Sequence, residues 1–304
     1  MSLYLGIDTS NYTTSVGICG EKTVNLRKVF ELPAGERGIR QSDGVFLHIK
    51  ELPRLFDSID IDMKKIKAVG VSERPRNQEG SYMPVFTVGE SFAKAIAKTL
   101  GVPLFETSHQ DGHIMAGIVS CDAYELMSEN FTAVQLSGGT TEILSCRYGN
   151  GSFNPRIIGG TKDISAGQLL DRLGVKLGMK FPCGRELDAL SMRTDKYIKL
   201  KTAQKDGFIN FSGMETRLLN MAETENAEVL ARSALCFIGE SITEALAALK
   251  PERVIFVGGV ASNTILRNML GSGAYKAYFA SRELSGDNAV GVAHIAKKMY
   301  EELK

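Results

Sequence analysis

The chain lacks the features that mark disulfide-linked, thiolate-metal and membrane proteins. Its five cysteines are odd in number and scattered, and no two of them form a Cys-x-x-Cys motif. This argues against a disulfide framework or a thiolate metal site and favours reduced thiols. No apolar run approaches the length of a membrane span, and Met1–Ser10 lacks the pattern of a signal peptide. We therefore expect a soluble, cytoplasmic protein.

An excess of charge of one sign is also missing. The formal net charge is +1, so no overall field attracts nucleic acid, and such binding would require local patches. Basic residues cluster at Lys64–Lys67, Arg74–Arg76 and Arg193–Lys205. Such clusters usually form solvated faces, and the third is also a candidate tRNA surface. The 304 residues, of which 43% are hydrophobic, suffice for one large or two medium domains.

Histidine is scarce, and two of the four histidines stand four residues apart. In Ser108-His109-Gln110-Asp111-Gly112-His113 this spacing places both imidazoles on one face of a helix. Imidazole suits zinc and iron alike, so one metal ion could bind both, with a third ligand from far along the chain. An ordinary solvated or buried histidine pair is the commoner alternative. Gly101–Phe105 predicts a strand leading into the motif, and strand-to-helix junctions are where α/β folds place ligand groups.

The histidine motif differs from the zincin protease signature, which requires a glutamate directly after the first histidine as general base. Position 110 is glutamine, which cannot serve as that base. A metalloprotease is therefore the least expected function.

Alternating apolar segments predict an α/β fold with mixed sheets flanked by helices. Two β-hairpins are predicted, and their second strands lie within the similar segments Thr13–Cys19 and Thr140–Cys146. Their shared threonine pair and closing cysteine suggest a domain-sized internal repeat, with two unrelated hairpins as the alternative. Besides Gly101–Phe105, the predicted strands are Leu3–Ile7, Ser15–Cys19, Ile66–Val71, Phe131–Leu136, Glu142–Cys146 and Val254–Val257. The predicted helices are His48–Asp60, Val88–Leu100, Ala166–Leu177, Glu186–Arg193, Glu223–Leu249 and Asp287–Leu303.

Three polar or glycine-rich turns follow predicted strands: Asp8–Thr14, Ser137–Gly139 and Gly258–Asn263. Glycines let backbone N–H groups approach phosphate oxygens, although each turn alone is more often just a tight turn. Together and in this order they match the phosphate hairpins and adenosine turn of the actin, sugar-kinase and heat-shock ATPase (ASKHA) superfamily. We therefore predict an ASKHA fold of two related lobes around a nucleotide cleft. Residues 1–126 and 287–304 form the first predicted lobe, and residues 127–286 form the second.

The chain resembles the TsaD/Gcp family over nearly its whole length. This family comprises the tRNA threonylcarbamoyladenosine synthases, formerly described as O-sialoglycoprotein endopeptidases. The resemblance rests on ordered segments, namely Gly6–Ser10, Gly89–Ala95, His109/His113, Ser137–Gly139, Ala166–Asp171, Phe181–Gly184, Phe211–Gly213, Gly258–Asn263 and Gly286–Asn288.

The resemblance implies roles for individual residues. His109, His113 and Asp287 correspond to the family's metal ligands, which supplies the third ligand and leaves open positions for substrate oxygens. The remaining correspondences are Ser137, Gly138, Gly139 and Thr141 for the phosphate-side loop, Asp171 and Gly184 for ribose contacts, and Asn263 for the adenine-side turn.

The implied activity is transfer of a threonylcarbamoyl group from its adenylate to the exocyclic amine of the tRNA adenosine beside the anticodon, with release of AMP. A divalent metal ion, iron or zinc, polarises the carbamoyl carbonyl. Asp8, His109 and His113 are the catalytic candidates, and either Asp8 or Asp287 could assist proton transfer. The implied ligands and partners are the adenylate substrate, an ATP- or AMP-type nucleotide, tRNA, TsaB- and TsaE-like subunits and a second copy in a dimer.

Several positions depart from the family pattern. Thr140 stands in place of a histidine, Gln168 in place of a glutamate and Glu215 in place of a lysine, and Arg74–Gly80 replaces a glycine-rich loop. These departures suggest a divergent paralogue. They leave two alternatives open: a carbamoyl transferase of the same fold with a different acceptor, and an inactive nucleotide-binding paralogue.

Overall fold

Both predicted β-hairpins are present in the computed structural model, which describes residues 2–10, 12–30 and 39–304. Asn11, in the polar turn after the first strand, lies outside the described residues. The strands are β1 (Leu3–Asp8), β2 (Thr13–Cys19), β3 (Val24–Val29), β4 (Ile66–Arg74), β5 (Leu104–Ser108), β6 (Phe131–Leu136), β7 (Thr141–Cys146), β8 (Arg156–Thr161), β9 (Gln204–Lys205), β10 (Phe208–Ile209), β11 (Arg253–Val257) and β12 (Lys276–Phe279). The helices are α1 (Gln41–Asp57), α2 (Phe86–Leu100), α3 (His109–Ser120), α4 (Ala166–Lys176), α5 (Gly184–Ser191), α6 (Ser212–Met221), α7 (Ala227–Leu249), α8 (Thr264–Leu270), α9 (Arg282–Ser285) and α10 (Val290–Glu302).

The chain divides into two units. Unit 1 comprises Met1–Glu129, Arg147–Pro155 and Asp287–Lys304, and unit 2 comprises Asn130–Cys146 and Arg156–Gly286. The division differs from the predicted boundaries chiefly at Arg147–Pro155, which belongs to unit 1. No helix among the described residues is both long and apolar enough to span a membrane.

The two units repeat one sheet topology. The sheet of unit 1 has the order β3-β2-β1-β4-β5, in which the first two pairings are antiparallel and the last two parallel. In unit 2 the strands β8-β7-β6-β11-β12 follow the same order with the same directions, and β10 and β9 extend the sheet beyond β8. The similar segments Thr13–Cys19 and Thr140–Cys146 therefore occupy equivalent strands. The predicted α/β fold of two related lobes is confirmed.

Side-chain alternation along β1 explains the layers of unit 1. Leu5 and Ile7 point to one face of the sheet, where they pack with Leu52 of α1 and Ala93 of α2. Tyr4 lies on the other face and packs with Ala293 and other residues of α10. Because both faces are covered by helices, the central strands are apolar on both sides.

The core of unit 2 is built around α7. This helix is buried along most of its length, and its side chains pack with those of α4, α5, α8 and the sheet. Asn226 caps its N-terminus by accepting hydrogen bonds from the backbone N–H groups of Glu228 and Val229. The helix accordingly begins at Ala227, four residues later than predicted.

Helix α10 lies directly on the sheet and on α3 because glycines leave room for its backbone. A Cβ atom at Gly6 or Gly17 would overlap the backbone around Ala289, and one at Gly291 would overlap the carbonyl oxygen of Gly112 in α3. The contact between Gly112 and Gly291 therefore sets the spacing of α3 and α10. It also sets the position of the residues that immediately precede α10.

The starts of two further predicted helices are wrong. Helix α1 begins at Gln41 rather than His48. Helix α10 begins at Val290 rather than Asp287, because the Asn288 side chain accepts hydrogen bonds from the backbone N–H groups of Val290 and Gly291. Asp287 therefore lies in the loop before the helix, and helical backbone geometry does not fix the direction of its side chain.

We expect Gly291→Ala to destabilise unit 1 by about 1–3 kcal/mol or more, because the added methyl group would force α3 and α10 apart. Gly149→Ala is the matched control in the same unit, since its Cβ would meet only Asn154 Nδ2, at 3.9 Å. This control should change the free energy of unfolding by less than about 0.5 kcal/mol. Urea denaturation of both variants tests the prediction, and equal stabilities would contradict it.

Candidate metal and nucleotide sites

Three side chains that can bind a metal come together in unit 1. His109 and His113 lie one turn apart on α3, and Asp287 lies in the loop before α10. Asp287 Oδ1 is 3.5 Å from His109 Nε2 and 3.3 Å from His113 Nε2. The ligand atoms of the three residues all lie within 4.8 Å of one another. We call this group the His-His-Asp cluster.

Local structure fixes each member of the cluster. Ser108 ends β5 and caps α3, accepting a hydrogen bond from Asp111 N, so the helix begins at His109. The contact between α3 and α10 then brings the loop before α10 to the histidine pair. Thr13 Oγ1 donates to Asp287 Oδ2 at 3.1 Å, which leaves Oδ1 directed at the imidazoles.

Asp8 lies behind His109. Its carboxylate is fully buried, and Oδ2 is 2.8 Å from His109 Nδ1. The same oxygen accepts a hydrogen bond from Ser72 Oγ, and Oδ1 accepts one from Ser10 N at 2.9 Å. A carboxylate on Nδ1 fixes the ring orientation and directs Nε2 toward Asp287, an arrangement common behind metal-binding histidines. This geometry suits a positioning residue better than a group that touches substrate.

The cluster attracts positive charge. Burial by itself would lower the pKa of His109, but the carboxylates of Asp8 and Asp287 raise it to about 10. Burial would raise the pKa of Asp287, but the imidazoles of His109 and His113 hold it well below its ordinary range. The pKa of Asp8 is also lowered, because His109 outweighs the effect of burial. Both carboxylates are therefore ionised at neutral pH.

The residues of the cluster fit a metal ion. His113 is buried, and within the described ranges its Nε2 atom has no hydrogen bond of normal geometry, although Asp287 Oδ1 is near. A buried polar nitrogen without a hydrogen bond is costly. Two imidazole nitrogens and one carboxylate oxygen also form a donor set that zinc and iron accept. A cation bound here would satisfy the nitrogen and the ionised carboxylate together.

Asp111 is a supporting residue that the sequence analysis missed. It is fully buried, its Oδ1 accepts from Phe153 N at 3.0 Å, and its Oδ2 accepts from Asn77 Nδ2. Asn77 also donates to Ser152 Oγ at 2.7 Å. These bonds explain why Arg147–Pro155 belongs to unit 1. The available signal was an aspartate three residues after a serine N-cap, a variant of the capping box.

The glycine turn between β6 and β7 lies in unit 2. Ser137 N donates to Thr140 O at 2.9 Å, and Thr140 N donates to Ser137 Oγ at 3.1 Å, which closes the turn. Gly138 and Gly139 are exposed, and a Cβ atom on either would meet nothing within 4 Å. Packing within the described residues therefore does not require glycine at these two positions.

The N-terminus of α4 packs on this turn. Ser165 Oγ donates to Gly138 O at 2.6 Å, and Gly167 leaves no room for a Cβ atom against Ser137 and Gly138. A helix N-terminus beside an exposed glycine turn is a favourable place for an anion. Thr141, predicted as a phosphate-side contact, is buried, and its Oγ1 accepts from Ala166 N at 2.8 Å. Its hydroxyl therefore holds α4 against the turn.

The predicted ribose-side residues lie next to one another. Cys183 N donates to Asp171 Oδ1 at 2.8 Å, and Gly184, the next residue, begins α5. Burial raises the pKa of Asp171 above its ordinary value. Gly184 is exposed, and a Cβ atom there would meet nothing within 4 Å.

The predicted adenine-side turn lies at the same sheet edge as Ser137–Gly139. Strands β6 and β11 are parallel neighbours, so both turns follow carboxyl ends of adjacent strands. Gly258, with φ of +94°, packs against the backbone of Leu136, and Asn263 caps α8 by accepting from Leu266 N at 3.0 Å. The α5 residue Asp188 accepts from Thr264 Oγ1 at 3.1 Å, which links the ribose-side helix to this turn.

Two departures from the family pattern have structural roles. Gln168 completes a capping box with Ser165, because its Oε1 accepts from Ser165 N and its N–H donates to Ser165 Oγ, each at 3.0 Å. Glu215 is buried and accepts from Arg172 Nη1 at 2.9 Å. Both residues therefore stabilise α4, which borders the glycine turn.

Comparison with known families and curated proteins gives a consistent result. The family model of TsaD, tRNA N6-adenosine threonylcarbamoyltransferase, matches residues 48–294. A protein of that name from Archaeoglobus fulgidus is 29% identical, over 98% of this chain and 91% of the relative. Another from Mycoplasmopsis synoviae is 26% identical, over 97% of each chain. A probable bifunctional tRNA threonylcarbamoyladenosine biosynthesis protein from Thermoplasma acidophilum is 27% identical, and the chain spans 56% of its length.

Solved structures of the ASKHA superfamily share the fold. Full-length HypF, in its phosphate- and nucleotide-bound form, aligns with a TM-score of 0.60 and 14% identity, over 98% of this chain and 47% of HypF. The activator of 2-hydroxyisocaproyl-CoA dehydratase from Clostridium difficile, with bound ADPNP, aligns with a TM-score of 0.56 and 15% identity, over 99% and 96% of the two chains. The predicted ASKHA fold is confirmed.

Proposed function

Because the chain belongs to the TsaD family of tRNA N6-adenosine threonylcarbamoyltransferases, we propose that it transfers a threonylcarbamoyl group to the tRNA adenosine beside the anticodon. The donor is the threonylcarbamoyl adenylate. The exocyclic amine forms a bond to the carbamoyl carbon, the bond from that carbon to the phosphate oxygen breaks, and AMP leaves with the electron pair while the amine loses a proton. The His-His-Asp cluster is the observation that carries this proposal.

We assign one divalent metal ion, iron or zinc, to His109, His113 and Asp287. When bound, such an ion acts as a Lewis acid toward a substrate carbonyl oxygen and can lower the barrier by several kcal/mol. Asp8 orients His109, and Thr13 orients Asp287. The two hydrogen bonds favour one arrangement of the ligands before any substrate arrives.

We assign the nucleotide part of the donor to unit 2. Backbone N–H groups of Ser137–Gly139, together with the N-terminus of α4, would bind phosphate oxygens. The backbone N–H of Cys183 orients the carboxylate of Asp171. This carboxylate would accept hydrogen bonds from the ribose hydroxyls beside Gly184. The turn that ends at Asn263 would contact the adenine, and Thr141 would act as a positioning residue for α4.

A transferase with another acceptor is the second candidate, because Thr140 places a hydroxyl where the family has an imidazole. An altered turn next to the donor phosphates could accompany a change of acceptor. The two candidates differ in whether AMP release requires tRNA.

We expect the wild-type protein to bind one divalent metal ion per chain and the double variant His109→Ala, His113→Ala to lose it. Asp8→Asn should weaken metal binding about 10- to 100-fold, because it removes the charge behind the first ligand. His294→Ala, which changes a histidine of α10 outside the cluster, is the control and should retain the metal. Elemental analysis and competition with a chelator measure these effects. Equal metal content in the wild type and the double variant would exclude the assignment.

We expect Gly139→Val to weaken binding of ATP and AMP at least about tenfold, because a side chain would hinder close approach of the phosphates to the backbone. A Cβ atom at this position meets no protein atom within 4 Å, so the variant should fold normally. Gly213→Val is the control, since a Cβ atom at this exposed glycine also meets nothing within 4 Å. Calorimetry measures both affinities. If Gly139→Val binds as tightly as the wild type, the phosphate assignment is wrong.

We expect N6-threonylcarbamoyladenosine to form in tRNA when the protein is incubated with threonine, bicarbonate, ATP, an adenylate-forming synthase and TsaB- and TsaE-like subunits. Mass spectrometry of the tRNA nucleosides detects the product, and His109→Ala should abolish it. AMP release that is indifferent to tRNA would favour the second candidate. Metal-dependent peptide cleavage that disappears in His109→Ala would overturn both candidates.

A further inference from the structure

Unit 2 carries a strip of exposed lysines that the sites described above do not use. It consists of Lys196, Lys199, Lys201 and Lys205, and we call it the lysine strip. Within the part of the chain that the structure describes, none of the four forms an ion pair within 4.0 Å. The acidic Asp195 in the same segment is paired instead with Arg232, at 3.1 Å. The four ammonium groups are therefore not held in ion pairs and can meet an external anion, on a chain whose net charge is only +1.

The backbone of the strip is held in place. Ile198 N donates to Ser233 Oγ at 2.8 Å, and Leu200 is 2% exposed and belongs to the core around α7. Lys199 and Lys201 flank the buried Leu200, and both are exposed. The two ammonium groups are thus presented from an ordered segment, which lowers the entropy lost when they bind a ligand.

The strip borders a cavity of about 680 Å³. Its lining includes Lys199 and Lys201 of the strip and Glu240 and Glu244 of α7. Met269 and Thr202 also line it, and Thr202 Oγ1 donates to Glu244. The cavity is wide open to solvent. Met269 is near the C-terminal end of α8, whereas the adenine-side turn is at its N-terminal end. The seven residues of this helix separate its two ends by about 10 Å.

We propose that the lysine strip and this cavity bind tRNA outside the reacting adenosine. The lysines contact backbone phosphates, and the cavity receives an unpaired base whose exocyclic amine donates to Glu240. Proteins bind RNA loops in this way, with cationic groups on the backbone and splayed bases in pockets or on aromatic rings. Tyr197, 43% exposed, offers such a ring beside the strip. That the RNA is tRNA rests on the proposed function. That the surface binds RNA rests on the lysines and the cavity.

The triple variant Lys196→Gln, Lys199→Gln, Lys201→Gln tests the strip. Its matched control is Lys64→Gln, Lys65→Gln, Lys67→Gln, which removes three exposed lysines from unit 1, where Asp60 and Asp62 are close in sequence. Fluorescence anisotropy with labelled tRNA over a series of salt concentrations measures affinity. We expect at least about tenfold weaker binding for the strip variant, and a salt slope smaller by about 2, since each lost phosphate contact removes about 0.7.

The control should change affinity less than about twofold. Equal losses in the two variants would overturn the proposal, and so would a strip variant that loses affinity for anionic lipid vesicles while binding tRNA normally. Thermal unfolding of both variants verifies that they are folded.

The cavity is tested with short oligonucleotides. The wild type should bind oligo(A) more tightly than oligo(U), because uracil has no exocyclic amine, and Glu240→Ala should remove this preference. An unchanged preference in Glu240→Ala would contradict the assignment of the base to the cavity.

Binding and transfer are measured separately, so the two proposals fail separately. Weak tRNA binding by the strip variant of a protein with no transferase activity would support this inference and reject the proposed function. If the wild type modifies tRNA and the strip variant binds tRNA normally, the proposed function is supported and this inference is rejected.

Discussion

The His-His-Asp cluster depends on the close approach of α10 to α3 and to the sheet of unit 1. Gly112 and Gly291 allow the two helices to touch through their backbones, and Gly6 and Gly17 allow α10 to lie on the strands. Asp287 immediately precedes this helix and reaches the histidine pair only because the helix lies so close. A methyl group at the contact would move a carboxylate oxygen that now lies within 3.5 Å of both imidazoles.

The charges of the cluster depend on one another. Asp8 is fully buried, and a buried carboxylate is tolerated only with strong hydrogen bonds and a positive partner. His109, Ser72 and Ser10 provide these, and the raised pKa of His109 is the reciprocal effect on the imidazole. The arrangement stabilises positive charge between α3 and the loop before α10. The same negative potential would stabilise a bound divalent cation, and its ligands would need little rearrangement.

The two units share a sheet topology but carry different functional residues. The strands of hairpin β1–β2 carry Asp8 and Thr13, which contact His109 and Asp287. The equivalent hairpin β6–β7 carries the exposed glycine turn Ser137–Gly139. Strand order and direction are the same, so the difference lies in the residues at the carboxyl ends of the strands. This is where α/β sheets generally place their functional groups.

The sequence by itself determined the features that depend on local periodicity: the hairpins, the i, i+4 histidine pair and the glycine turns. It also placed Asp287 with the histidines, but only through family resemblance, because nothing in the spacing of residues 109 and 287 predicts contact. Tertiary structure alone decided that Asp8 supports His109, that Asp111 binds Arg147–Pro155, and that the hydroxyl of Thr141 holds α4. Side-chain periodicity reports which face of an element is buried, whereas the partner on that face depends on how distant elements pack.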